Sequence, residues 1–153
     1  MDGNSHPLHN IRQVNMSNVT PIRSKGSDSE KITINIGYVD LGQIDLLVQE
    51  GFYSNRSDFI RTAIRNQLNA HADVVKQTVT RKTLELGLRQ YSKSDLETVQ
   101  KAGEKLHIQV VGLVIISADV TPELALATIE AIHVLGALQA SAAIKTALAS
   151  RIF

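Results

Sequence analysis

The chain has 153 residues, enough for one medium domain or two small ones, and 43% of them are hydrophobic but only 4% aromatic, so any core is aliphatic. The absence of cysteine excludes disulfides, thiolate catalysis and cysteine metal sites. Sixteen Lys/Arg against fifteen Asp/Glu leave a formal charge of +1, no apolar run approaches a membrane span, and no secretory pattern opens the chain, so an intracellular protein with no membrane partner is expected.

Residues 1–30 are rich in Asn, Ser, Gly and Pro and carry no sustained periodicity, which reads as a disordered N-terminal arm. Its Arg12, Arg23 and Lys25 are offset by Asp2, Asp28 and Glu30. From Lys31 the pattern changes to strict alternation. Ile32, Ile34 and Ile36, continued by Tyr38, fall on one side; Lys31, Thr33, Asn35 and Gly37 fall on the other. That is a half-buried strand with a short polar outer face. The period then lengthens to about 3.6. Asp40 is placed to cap a helix carrying Leu41, Ile44, Leu47 and Val48, and Gly51 to stop it. After the aromatic turn Phe52–Tyr53, Asn55 to Asp58 has the spacing of a capping box with Asp in place of Glu. The helix it opens buries Phe59, Ile60, Ala63, Ile64 and Leu68, carries Arg56, Arg61 and Arg65, and is expected to run past His71 toward Lys76. Residues 72–82 read as a connector.

The remainder, residues 83–153, repeats. Gly87, Gly112 and Gly136 are 25 and 24 residues apart, inside T-L-E-L-G-L, I-Q-V-V-G-L and I-H-V-L-G-A. Each is a short apolar strand followed by a polar turn and a helix: Ser94 to Lys105 capped by Ser94, Thr121 to about Ile129 with Pro122 at its first position, and Ser141 to about Ser150. Two architectures fit, a short β–α solenoid or a compact α/β sandwich. Glycines inside strands mark close backbone approach. The final repeat stays apolar to Ile152 and Phe153 with no capping segment, so it is expected to associate with another copy through Ile132, Val134, Leu138, Ile144, Leu148 and Phe153, in a closed tetramer or an open filament.

A strand, helix, glycine turn and helix in about forty residues cannot bury a core alone, so two such units are expected to pair their strands antiparallel in a dimer. The alternating K-I-T-I-N-I strand, the turn at Gly51 and N-R-S-D-F-I-R at Asn55 to Arg61 resemble the ribbon-helix-helix family of DNA-binding proteins, the Arc, MetJ and CopG-like group. The resemblance implies a two-stranded ribbon in the major groove of double-stranded DNA. Lys31, Thr33 and Asn35 on its outer face have the donors and acceptors to read base edges. It also implies phosphate clamping at the start of the second helix by Ser54, Asn55, Arg56 and Ser57, where free amides and a positive helix end suit an anion. Arg61 and Arg65 are open between DNA-backbone contact and ion pairing with Asp45 or Glu50. Between residues 31 and 71, Lys31, Arg56, Arg61 and Arg65 are balanced by Asp40, Asp45, Glu50 and Asp58, which weakens phosphate attraction.

No phosphate loop, serine elbow or zinc-protease motif is present, so no catalytic residue and no cofactor is assigned. A nickel-responsive group within the family carries a metal-binding α/β domain, but His107 and His133 sit at different registers to their glycines, and no metal site is assigned. The expected protein is therefore α+β: a ribbon-helix-helix unit at 31–71 and a β–α repeat domain at 83–153. Its expected function is a cytoplasmic, nucleoid-associated, bacterial or phage-borne transcriptional regulator, with a DNA-anchored filament former and an antitoxin autorepressor as alternatives.

Overall fold

The computed structural model describes residues 29–153, so the expected arm at 1–30 lies almost wholly outside the described residues. Residues 30–37 carry no regular secondary structure and pair with no strand among the described residues. The expected strand therefore has no ladder in a single copy, and it ends one residue early. Tyr38 is the first residue of helix α1, Tyr38–Gln49, rather than a strand residue. The N-cap of α1 is Gly37, and Asp40 makes no capping bond but sits in the first turn, where its charge favours the positive helix end. Gly51 ends α1 as expected: with φ at +84° its N–H reaches Val48 O (3.1 Å), and Phe52 N–H reaches Leu47 O (3.0 Å). This pair of bonds is a Schellman termination.

Helix α2 spans Arg56–Ala70, and a break at His71 separates it from α3, Ala72–Arg81. The expected connector is thus helical, with Val75, Thr78 and Val79 half-buried on one side. A second Schellman pair, Thr83 N–H to Thr80 O (3.2 Å) and Leu84 N–H to Val79 O (2.9 Å), closes α3. Here the left-handed residue is Thr83, at φ +54°, an uncommon conformation for a β-branched side chain.

The C-terminal unit alternates strands and helices: β1 Glu85–Tyr91, α4 Lys93–Lys101, β2 Leu106–Ile116, α5 Pro122–Thr128, β3 Ile129–Gln139 and α6 Ala142–Ala147, then a single 3-10 turn at Ala149–Arg151. All three strands are parallel and lie in sequence order. The α4 cap is Ser92, two residues before the expected Ser94. It completes a capping box with Asp95, whose carboxylate accepts from Ser92 N–H at 2.8 Å and Oγ–H at 2.7 Å. Thr121 and Ser141 cap α5 and α6 as expected.

The core lies between the sheet and its helices. Ile108, Val110, Val114 and Ile116 of β2 and Ile129 and Ile132 of β3 pack with Leu96, Leu124, Ala125, Ile144 and Leu148. The carbonyls that α5 leaves open at its C-terminus are met from elsewhere in the fold: Arg151 Nη1 donates to Leu126 O (2.7 Å) and Ile129 O (2.6 Å), and Lys105 Nζ to Ala127 O (2.8 Å).

The expected association surface is corrected here. Ile132, Ile144 and Leu148 are fully buried in this core, and Val134 and Leu138 are half-buried against it. The end of the sheet is partly covered by the chain itself. Ile152 bridges to Ile132, Phe153 N–H donates to Ile132 O at 2.9 Å, and the Phe153 ring stacks on His133 at 4.8 Å.

Gly87, Gly112 and Gly136 fall in direct register across the three strands. All three have φ between +126° and +142°, a region essentially restricted to glycine. A Cβ on Gly112 would stand 2.1 Å from Gly87 O, and one on Gly136 would stand 2.0 Å from Gly112 O; a Cβ on Gly87 meets nothing within 4 Å. We therefore expect Gly87→Ala to cost only backbone strain, about 1–3 kcal/mol. Gly112→Ala and Gly136→Ala add a backbone collision and should leave the C-terminal unit unfolded or destabilised by clearly more. Urea denaturation of the three variants checks the order; equal losses at all three positions would disprove it.

Candidate nucleic-acid interface

The extended segment before α1 presents two chemistries on alternate residues. Lys31, Thr33 and Asn35 are exposed and polar. Between them Ile32 and Ile34 are also exposed, at 80% and 60%, although they are large aliphatic side chains. With Ile36 they border a groove of about 370 Å³ whose other walls are Leu41 and Ile44 of α1 and Arg56 and Ile60 of α2. The apolar side of the segment and the helix pair together form an unfilled aliphatic trough.

The turn into α2 is built by local bonds. Asn55 Oδ1 accepts from Asp58 N–H at 2.8 Å, as the capping spacing predicts, while Asp58 Oδ2 accepts from Ser54 N–H at 3.0 Å. The reciprocal half of the box is thus shifted one residue upstream. Tyr53 meets Phe59 edge-on at 5.0 Å and fixes the aromatic turn against the helix. Ser54, Asn55, Arg56 and Ser57 are all exposed, and the Arg56 and Ser57 amides open the helix where no intrahelical acceptor exists. The structure therefore brings these four residues together at one helix end. Thr33 of the extended segment borders the same groove as Arg56.

One expected role changes. The Arg56 guanidinium is engaged by Asp45, with Nε to Oδ1 and Nη2 to Oδ2 both at 2.7 Å. This two-pronged bond ties α1 to α2 across the turn. It draws the Asp45 carboxyl below its ordinary range, chiefly through the hydrogen bond itself, and raises the Arg56 guanidinium in return. Asp45 is one of two acids, with Glu50, that the sequence offers as a partner of Arg61 or Arg65 across a dimer, against contact of those arginines with DNA. Both of those are exposed on α2, and no ion pair among the described residues includes either. Sequence reading missed the Asp45–Arg56 pair because the partners are eleven residues apart, beyond any within-helix spacing. The compact helix–turn–helix outline, with an acid facing the start of the next helix, was the available signal.

Elsewhere, His107 Nε2 lies 3.4 Å from Glu130, and His133 is stacked on Phe153. Among the described residues no three His, Asp or Glu side chains are grouped to hold a metal ion, and no helix is long and apolar enough to cross a membrane.

Residues 27–145 match the Ribbon-Helix-Helix transcriptional regulator family, and the chain belongs to that family. The match runs through the repeat unit as well as the ribbon and helices. The chain is also similar to an uncharacterized protein of Methanocaldococcus jannaschii, 32% identical over 79 residues that make up 50% of this chain and 79% of the relative. No solved structure matches it.

The Asp45–Arg56 bond has a direct pH consequence. A carboxyl lowered in the fold from its ordinary 3.8 contributes stability that is present above that value and lost as pH falls through its lowered folded value. Asp45→Asn should therefore lower the neutral plateau of the helical unit slightly, because the pair is exposed, and make its acid limb shallower by the same small amount, so that the two proteins converge as pH falls below about 4. Circular dichroism of both proteins across that range is the check; identical acid limbs would refute the assignment.

Proposed function

We propose that this ribbon-helix-helix protein is a sequence-specific regulator of double-stranded DNA, reading the major groove with a ribbon built from two copies and self-associating further through residues 83–153. The observation that carries the reading is the exposed isoleucine side of residues 32–36 above an aliphatic trough. An exposed alternating strand with unpaired backbone groups calls for a second strand. An antiparallel copy of the same segment meets both needs, since it completes the ladder and closes the trough around a two-fold axis. The same pairing turns Lys31, Thr33 and Asn35 of both chains to the opposite side.

On that side the residue chemistry suits base edges. Asn can bond adenine at N6 and N7, Lys can reach guanine acceptors, and Thr can bond either or touch a thymine methyl. The ribbon supplies readout while the start of α2 supplies position. The amides of Arg56 and Ser57 and the side chains of Ser54 and Ser57 suit a phosphate. The Arg56 side chain, held by Asp45, contributes by orienting the helix end more than by donating freely. Arg61 and Arg65 remain available for the DNA backbone. Because the helical unit is near neutral, one dimer releases few counterions, and stable occupancy draws on adjacent dimers or on association through the repeat unit. The repeat unit has a core of its own, which separates it from an antitoxin tail that folds only on its toxin.

Thr33→Ala combined with Asn35→Ala should lower operator affinity about a hundred-fold or more, since each base contact is worth roughly 1–3 kcal/mol and each is made twice. The dimer should persist. Ile34→Asp should instead dissociate the ribbon pair, by placing an unpartnered charge in the shared core. Gel-shift titration and sedimentation of the two variants separate these effects. Unaltered operator binding in the first, or an intact dimer in the second, would mean that the strand faces are assigned the wrong way round.

A further inference from the structure

Among the described residues, the sheet of the repeat unit has helices on only one side. Side chains alternate along each strand, so the residues beside those in the core point the other way. On that side stand Leu86, Leu88, Val111, Leu113 and Ala137, flanking the glycine line and bordering a groove of about 730 Å³, with Leu135 in the adjoining hollow. Leu86, Leu88 and Leu135 are 66%, 54% and 67% exposed. Parallel sheets are ordinarily covered on both faces. This one leaves an aliphatic face open.

The chemistry of the face and its rim selects the cover. The middle of the strands on this side carries no Asp, Glu, Lys or Arg; Glu130, at the irregular start of β3, reaches outward-facing His107 at 3.4 Å. Charge stands only at the borders. Glu30 lines the groove over the later part of the strands, and Lys82 lines the adjoining hollow near their beginning with Gln109, His133 and Leu135. A two-fold axis lying in the face and crossing the strands would set leucine on leucine. It would also bring the Glu30 end of one copy against the Lys82 end of the other. The face is thus neutral at its centre, and its Glu30 edge would meet the Lys82 edge of the other copy, where Glu130 is engaged by His107.

Size narrows the choice further. Strands of seven, eleven and eleven residues, about 4.8 Å apart and rising about 3.3 Å per residue, give a projected face of roughly 460 Å². An interface that holds two free proteins together buries about 800 Å² on each side. This face is too small to recruit a free partner and large enough to close on one already held nearby, where effective concentration is high. The ribbon supplies such a partner. We infer that the open sheet face packs against the same face of a second copy of this chain, sheet on sheet, with the helices outermost. The inference rests on the dimeric reading above and relocates self-association from the buried residues of the last repeat to Leu86, Leu88, Leu113 and Leu135.

The test uses the full-length chain, which has no native cysteine, so one introduced thiol is the sole reporter. Leu113→Cys places it near the centre of the face, and Thr146→Cys places it on the exposed side of α6 as the control. Under mild oxidation the Leu113→Cys protein should form a disulfide-linked dimer at least ten times faster than the control. Adding Leu135→Glu, at an exposed position that the fold tolerates, should reduce that rate at least ten-fold with an unchanged circular dichroism spectrum. Equal cross-linking at the two thiols would overturn the inference. So would a thiol at position 113 that neither cross-links nor reacts with a maleimide, because the chain's own N-terminal segment would then be the cover. Operator binding is measured separately on the same proteins. Cross-linking without DNA binding would remove the regulator reading alone; DNA binding without cross-linking would remove this one alone.

Discussion

In the repeat unit, a carbonyl oxygen of one strand occupies the place where a side chain of the next would begin. Gly87 O stands 2.1 Å from the Cβ site of Gly112, and Gly112 O stands 2.0 Å from that of Gly136. β2 and β3 must therefore present glycine at this level, whereas Gly87 of the edge strand β1 is held to glycine by its φ of +126° alone, and slipping the register by one residue would set Val111 or Leu113 against a backbone oxygen. The register in turn dictates the linkers. Each helix must return the chain to the same level after 24 or 25 residues, which leaves room for helices of only seven to nine residues between strands. Helices that short are marginal by themselves. Their ends are accordingly secured by Ser92 with Asp95, by Thr121, and by Arg151 and Lys105 on the last carbonyls of α5.

Much of this was legible. Evenly spaced glycines within apolar runs located all three strands, and Thr121 with Pro122, and Ser141, marked two helix starts. Ser92 was missed because Ser94 lies in the same turn, and only the partner three residues on, Asp95 rather than Glu97, distinguishes the two. The inward side of the strands was illegible for a stronger reason. In β2 and β3 both alternate sets are apolar, so periodicity does not say which faces the helices. Assigning Ile132 and Val134 to a surface and overlooking Leu135 is the one-residue error that such a strand invites. The break at His71 was equally hidden, since helix formers continue on both sides of it and α3 was read as a connector.

The N-terminal segment shows the opposite case. Its alternation is unambiguous because one set is isoleucine and the other is Lys, Thr and Asn, and the exposed Ile32 and Ile34 mark the side that wants burial. What the sequence concealed there was the use of charge. Asp45 and Arg56 look like independent solvated residues, yet they join α1 to α2 with two hydrogen bonds at 2.7 Å. A basic residue at the start of α2 thus serves the angle between the helices first. Its positive charge at that helix end is largely matched by its acidic partner, so an anion there would rely mainly on backbone amides.

The two open faces make different physical demands on a second copy. The ribbon segment lacks hydrogen-bond partners as well as apolar contacts, and hydrogen bonds are directional. Its mate must lie at one separation and in one register, which is what reading a fixed DNA spacing requires. The sheet face has its backbone already paired, apart from the outer edges of β1 and of β3 beyond its Ile132–Ile152 bridge, and lacks only apolar cover. Dispersion and water release are non-directional and grow with area. A contact of that kind tolerates small changes of angle, and such tolerance suits a joint that must close whatever bend the break at His71 and the strained turn at Thr83 impose between the two units. On the proposed reading, directional pairing belongs to the ribbon that would read sequence, and compliant burial to the sheet face that would hold copies together.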